Sequence, residues 1–98
     1  METFEVILND AGRGELKLLS AGAQAGKMDI LIRKEVLTVY HTEVDAVHEG
    51  KGFAKLLLSE LVRKARAENL HIKPLCPYVH AQFKRHPDEY ADVWLKES

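Results

Sequence analysis

Cysteine is nearly missing from this 98-residue chain: Cys76 stands alone. No internal disulfide and no cysteine-based zinc cluster can be built from one thiol. Neither sign of charge prevails, with 14 basic and 15 acidic side chains and a formal net charge of −1. That balance excludes the broad basic field that nonspecific nucleic-acid binding needs, so a cationic site has to be local and no nucleic-acid partner is expected. No apolar run approaches the length of a membrane span, and no N-terminal run resembles a signal peptide. A cytoplasmic protein without membrane association is the expectation. No repeat, linker or low-complexity tract interrupts the chain, which reads as one domain over residues 1–98.

Hydrophobic residues make up 46% and charged residues 30%, which suits a folded domain built around a single core. Phe4, Val6 and Leu8 alternate with Glu5, Ile7 and Asn9, predicting a first strand. Residues 9–14 are dense in turn formers. Residues 15–20 predict a second strand with Leu16 and Leu18 on one face. Residues 22–26 offer another turn. Met28, Ile30 and Ile32 predict a third strand, and residues 36–42 a fourth, rich in β-branched and aromatic side chains. Short connections favour an antiparallel meander. The period then changes. Ala54, Leu57, Leu58, Leu61, Val62 and Ala65 form the apolar stripe of a helix, which Asn69 ends by tolerating a left-handed conformation. Residues 71–75 predict a fifth strand. A strand–helix–strand unit of this length implies a right-handed crossover with the fourth and fifth strands parallel. Residues 78–86 predict a short second helix stopped by Pro87. The fold class is therefore α+β: four antiparallel strands, a helix, a parallel fifth strand and a short C-terminal helix.

Two places carry chemistry. Glu49-Gly50-Lys51-Gly52-Phe53-Ala54 lies between the fourth strand and the long helix, where free N–H groups and the positive end of the helix dipole favour an anion. At Pro74-Leu75-Cys76-Pro77, neither proline can donate a ladder hydrogen bond, so pairing of the fourth and fifth strands should fail near Cys76. His41 shares strand parity with Leu37 and Val39 and is expected on their face, beside Cys76, either as the base to its thiol or as a structural histidine hydrogen-bonded at the strand end. Glu43 is expected on the same face, either solvated or as a general base for an amine, directly or through water. His48, His71, His80 and His86 do not form a ligand set, and no metal is expected. Lys84, Arg85 and His86 either complement the dipole of the last helix or meet an anion.

Taken with the order of elements, His41-Thr42-Glu43-Val44, the glycine turn, Pro74-Leu75-Cys76-Pro77-Tyr78-Val79 and Phe83-Lys84-Arg85-His86-Pro87 make the chain resemble the GNAT acetyltransferase superfamily. The likeness is to its small single-domain branch with a cysteine. The pyrophosphate loop of that superfamily reads Arg/Gln-x-x-Gly-x-Gly/Ala. Gly52 and Ala54 match its last two positions, while Glu49 departs from the first and is expected to point away or to contribute only its N–H. The resemblance implies acetyl-CoA as the donor, with its pantetheine arm along Glu43 and Val44 and its pyrophosphate on residues 49–54. It implies that Lys84, Arg85 and His86 meet the 3′-phosphate. Tyr78 either closes over the ligand or caps the core, and Phe83 is expected among the residues that bind the coenzyme. Cys76 would be a general acid for the leaving CoA thiolate or an acyl carrier, against the plain reading of a lone cysteine as buried and inert. The acceptor implied is an amine, such as a protein lysine or a polyamine. A CoA-binding sensor or interaction module without turnover is the alternative.

Overall fold

The glycine turn, the lone thiol and the long helix meet at one edge of a five-stranded sheet. In a computed structural model that describes residues 1–96, β1 (Glu2–Leu8), β2 (Arg13–Ser20), β3 (Ala23–Arg33), β4 (Val36–Val44) and β5 (His71–Pro74) lie in that order across it. The first four pair antiparallel and β5 runs parallel to β4, which is the predicted meander and crossover. Helix α1 (Phe53–Ala67) makes the crossover, and α2 (Pro77–Arg85) follows β5 directly.

Alternation decides which face is buried. Leu16 and Leu18 on β2, Met28 and Ile30 on β3, and Leu37 and Val39 on β4 are fully buried and join one cluster with Leu57, Leu61 and Ala65 of α1 and Val79 and Phe83 of α2. Each such leucine contributes about 1.5–3 kcal/mol of burial. Both helices cover this inner face. The opposite face carries Glu15, Lys17, Lys27, Asp29, His41 and Glu43, all partly exposed. Asn69 takes the left-handed conformation that ends α1, at φ 56°. The terminal segment completes the sheet's far edge: Ile72 N–H donates to the Val93 carbonyl at 2.6 Å, and Leu95 N–H to the Ile72 carbonyl at 2.8 Å. Among the described residues, no helix is long and apolar enough to cross a membrane.

One predicted turn is corrected. Residues 22–26 are not a loop: β3 begins at Ala23, and the reversal is confined to Ala21 and Gly22, both at positive φ. Gly26 lies within the strand, where an added Cβ would stand 2.9 Å from the Glu43 carbonyl oxygen and 3.4 Å from Leu57. It is a glycine of close approach, not of a turn.

Candidate active site

The site is built by a break in pairing. β4 and β5 pair from Val36↔His71 to Val39↔Pro74 and no further. Pro74 and Pro77 remove two donors at that point, leaving Cys76 N–H to close the ladder on the Val39 carbonyl at 2.9 Å. Residues 41–44 pair with β3 alone, so among the described residues the other backbone edge of that stretch has no strand beside it. A β-bulge sharpens the separation. Asp29 faces His41 while Ile30 faces Val39, so Tyr40 is an extra residue in β4. Bulges bend a strand and re-aim its side chains. The Arg13 guanidinium lies 4.2 Å over the Tyr40 ring and holds it to the outer face.

The bulge overturns the parity count for His41 and Glu43. Past Tyr40, alternation restarts in the opposite phase, so His41 and Glu43 leave the face of Leu37 and Val39. Both are half-exposed, with His41 Nε2 3.4 Å from Glu43 Oε2. They join a charge lattice in which Lys27 Nζ lies 2.7 Å from Glu15, 3.2 Å from Asp29 and 3.8 Å from Glu43. Hydrogen bonds to Glu15 and then Asp29 hold the Lys27 ammonium above its ordinary value. The side chain beside the thiol is Thr42 instead: its Oγ1 lies 3.2 Å from Cys76 Sγ. Cys76 is 2% exposed. Its carbonyl accepts the His80 N–H at 3.0 Å as α2 begins.

At the other end of the unpaired edge, Asp45 leads into a 3-10 turn (Ala46–His48) and then the glycines. Gly50 and Gly52 take φ 83° and 76°, which other residues enter only at a cost. Gly52 caps α1 without a side-chain hydrogen bond, so the first-turn N–H groups remain available to a ligand. Val44, His48, Glu49, Gly50, Gly52, Phe53 and Ala54 line a cavity of about 280 Å³ there. Glu49 is among the residues that line this cavity, and its N–H is already donated to the Ala46 carbonyl at 3.1 Å, so that N–H is not free for a ligand. Lys51 N–H is similarly engaged with the His48 carbonyl, and its Nζ lies 3.3 Å from His48 Nδ1.

A second cleft of about 400 Å³ runs between the helices, lined by Lys55, Leu58 and Ser59 of α1 and by Tyr78, Gln82, Arg85, His86, Glu89 and Tyr90. Ala54 and Lys55 belong to one and the other cleft, so the two flank the first turn of α1. Burial first and the nearby Cys76 second push the Tyr78 hydroxyl above its ordinary value. Two sequence expectations change here. Phe83 is fully buried, stacked on Tyr90 at 4.7 Å and against Trp94 at 5.6 Å, so it is a core side chain with no surface open to the cleft. Lys84 is exposed outside the cleft lining, whereas Arg85 and His86 are within it. Lys55 and Ser59 escaped the sequence reading because they fall on the polar side of an amphipathic helix. Only the docking of α2 brings them beside Arg85.

A family model of GCN5-related N-acetyl-transferases matches residues 13–93. No curated protein matches the sequence. Among solved structures, the chain is similar to a ribosomal-protein-alanine N-acetyltransferase from Brucella melitensis biovar Abortus (TM-score 0.69, 16% identity, covering 100% of this chain and 94% of that one). It is similar to the ribosomal-protein-S18-alanine N-acetyltransferase from Escherichia coli (TM-score 0.68, 12% identity, 76% and 66% covered). It is also similar to an IAA acetyltransferase from Bacillus cereus (TM-score 0.62, 16% identity, 76% and 65% covered). The chain spans just under two thirds of the last two. At such identities these likenesses speak for the fold.

Proposed function

The chain belongs to the GCN5-related N-acetyl-transferase family, and from that premise we propose that it transfers an acetyl group from acetyl-CoA to an amine. The observation that carries the proposal is the parting of β4 from β5 at Val39 and Pro74. It leaves a free strand edge running from the thiol of Cys76 to the uncapped N-terminus of α1. In this reading the pantetheine arm lies along Glu43 and Val44 as an added strand, and the pyrophosphate takes the N–H groups of Gly50, Gly52, Phe53 and Ala54. Lys55, Ser59, Arg85 and His86 face the 3′-phosphate, with Tyr78 bordering the same cleft. Lys84 adds positive charge from outside it.

The chemistry needs a neutral amine beside the thioester and a proton for the departing sulfur. The amine enters from the open face of the sheet, where Glu43, paired with His41, accepts its proton directly or through water. A main-chain N–H near Val44 polarises the carbonyl. As the C–N bond forms and the C–S bond breaks, the electron pair stays on the CoA sulfur, which takes the Cys76 proton. The burial of Cys76 favours proton donation over carriage of the acetyl group. With no helix over the outer face among the described residues, the acceptor meets a shallow surface, which suits a lysine or polyamine amine better than an enclosed small molecule.

Glu49 favours a second reading. Glu49 belongs to the residues around the cavity, a carboxylate beside a pyrophosphate works against its binding, and a CoA-binding module without turnover needs only modest affinity. Intact mass with acetyl-CoA under native and denaturing conditions, followed by CoA-thiol release with an amine panel, separates the two. The proposal expects a one-CoA native adduct, no acetyl group on denatured protein, and thiol release that falls by about 10²–10⁴-fold in Cys76→Ala or Glu43→Gln. Binding without release for any amine supports the sensor. Absence of a native adduct overturns both.

A further inference from the structure

The bulge at Tyr40 delivers a hydroxyl to the thiol. Thr42 Oγ1 and Cys76 Sγ meet at 3.2 Å across the line where β4 and β5 part. The main chain of Cys76 is fixed on both sides of that contact, by its N–H on the Val39 carbonyl and its carbonyl on the His80 N–H. The remaining freedom of the thiol is rotation about χ1, and Thr42 is the polar side chain hydrogen-bonded to it. Threonine is stiff at its own χ1, so its hydroxyl is a fixed point against which the sulfur can be oriented. Valine has the same shape and neither donates nor accepts; serine keeps the hydroxyl.

We propose that Thr42 is a positioning residue for the acyl transfer, donating its O–H to Cys76 Sγ so that the S–H points into the cleft and the thiolate is held once that proton has left. The role rests on the acyl-transfer reading above. The amine nitrogen bonds to the acetyl carbon, and the C–S bond releases its electron pair to the CoA sulfur. The Cys76 proton neutralises that sulfur. The acylated nitrogen sheds its proton to Glu43, and the thiolate keeps the Thr42 hydrogen bond until that proton returns to it through water. Amine and acetyl-CoA enter, amide and CoA thiol leave, and Cys76 is regenerated.

Thr42→Val and Thr42→Ser, each checked for folding by thermal melt, test this with two readouts. In Thr42→Val, kcat is expected to fall about tenfold or more while KM for acetyl-CoA stays within about twofold, because a charge-assisted hydrogen bond is lost at the reacting end only. Thr42→Ser restores most of the rate. The second readout needs no cosubstrate. With the lone cysteine labelled at 13Cβ, its NMR signal in the ligand-free protein is expected to move from the wild-type position in Thr42→Val and to stay near it in Thr42→Ser, because only the serine keeps the hydroxyl on the sulfur. Unchanged kcat in Thr42→Val, an unmoved 13Cβ signal, or serine behaving as valine overturns the proposal while the acyl-transfer reading stands. A wild-type protein that binds no acetyl-CoA overturns that reading, and the catalytic role of Thr42 with it.

Discussion

Gly52→Ala separates an anion cradle from an ordinary turn. At φ 76° an L-alanine pays the left-handed penalty of about 1–2 kcal/mol. The smaller entropy of its unfolded chain returns about 0.4–1 kcal/mol. No atom lies within 4 Å of the added Cβ, so no clash adds to the cost. The net loss is about 1 kcal/mol, a fall in Tm of about 4–8 °C for a domain of this size. Relief of the strain would rotate the peptide units that present Gly52 and Phe53 N–H to the cavity. Losing one such bond to a charged phosphate raises the Kd for CoA by about 10–100-fold. Calorimetric titration with CoA reads the affinity and a thermal melt reads the stability. A semisynthetic D-alanine at position 52 is the control, since it takes positive φ without strain and should recover both. Destabilisation by the expected amount with CoA affinity unchanged within about twofold would refute the cradle and leave Gly52 as a helix cap.

Three further outcomes follow from the site and its surroundings. Glu49→Gln removes a negative charge from the glycine turn and should tighten CoA binding by about fivefold at low salt, with the gain shrinking as ionic strength rises; equal affinities at all salt concentrations would mean that Glu49 does not face the ligand. Arg85→Ala should weaken CoA while leaving 3′-dephospho-CoA unaffected, and equal losses for the two ligands would remove Arg85 from the 3′-phosphate. Arg66 holds Asp92 below its ordinary 3.8 through hydrogen bonds of 2.9 and 3.1 Å. The stabilisation is therefore present above about pH 4 and is lost as pH falls through the depressed folded-state value. Thermal melts of Asp92→Asn should lie below wild type at pH 6 and converge with it toward pH 2, and a gap constant with pH would count against the ion pair.

Element type and order were legible because each segment keeps its period: alternation in β1 to β4, the apolar stripe of α1, and prolines where β5 must stop. Register was not. Counting by twos along residues 37–43 assumes an unbroken strand, and nothing in the letters Val39-Tyr40-His41 marks Tyr40 as the surplus residue. The bulge appears only once β3 is laid beside β4. It moved His41 and Glu43 to the open face and gave their place beside the thiol to Thr42. Gly26 failed for a related reason: a glycine among turn formers reads as a turn, while its need here is set by Leu57 and the Glu43 carbonyl passing overhead. Phe83, four residues after Val79 in a motif full of ligand candidates, belonged by helical spacing to the core. The glycine turn was readable in position, but not the spent N–H groups of Glu49 and Lys51, which depend on the 3-10 turn before them.

The extra residue in β4 also bears on how this site could be lost or altered. Residues 26–33 of β3 face the nine residues of β4, so which side chains border the cleft is set by a difference in length and not by the chemistry of any one side chain. No substitution at Tyr40 shortens the strand. Point changes there keep the register of residues 41–44, and variation can explore the residues bordering the cleft while that register persists. Removing a single codon would instead take the bulge out in one step, with Val39 and Thr42 still on the buried side. The site is thus tolerant of altered spelling and vulnerable to altered length.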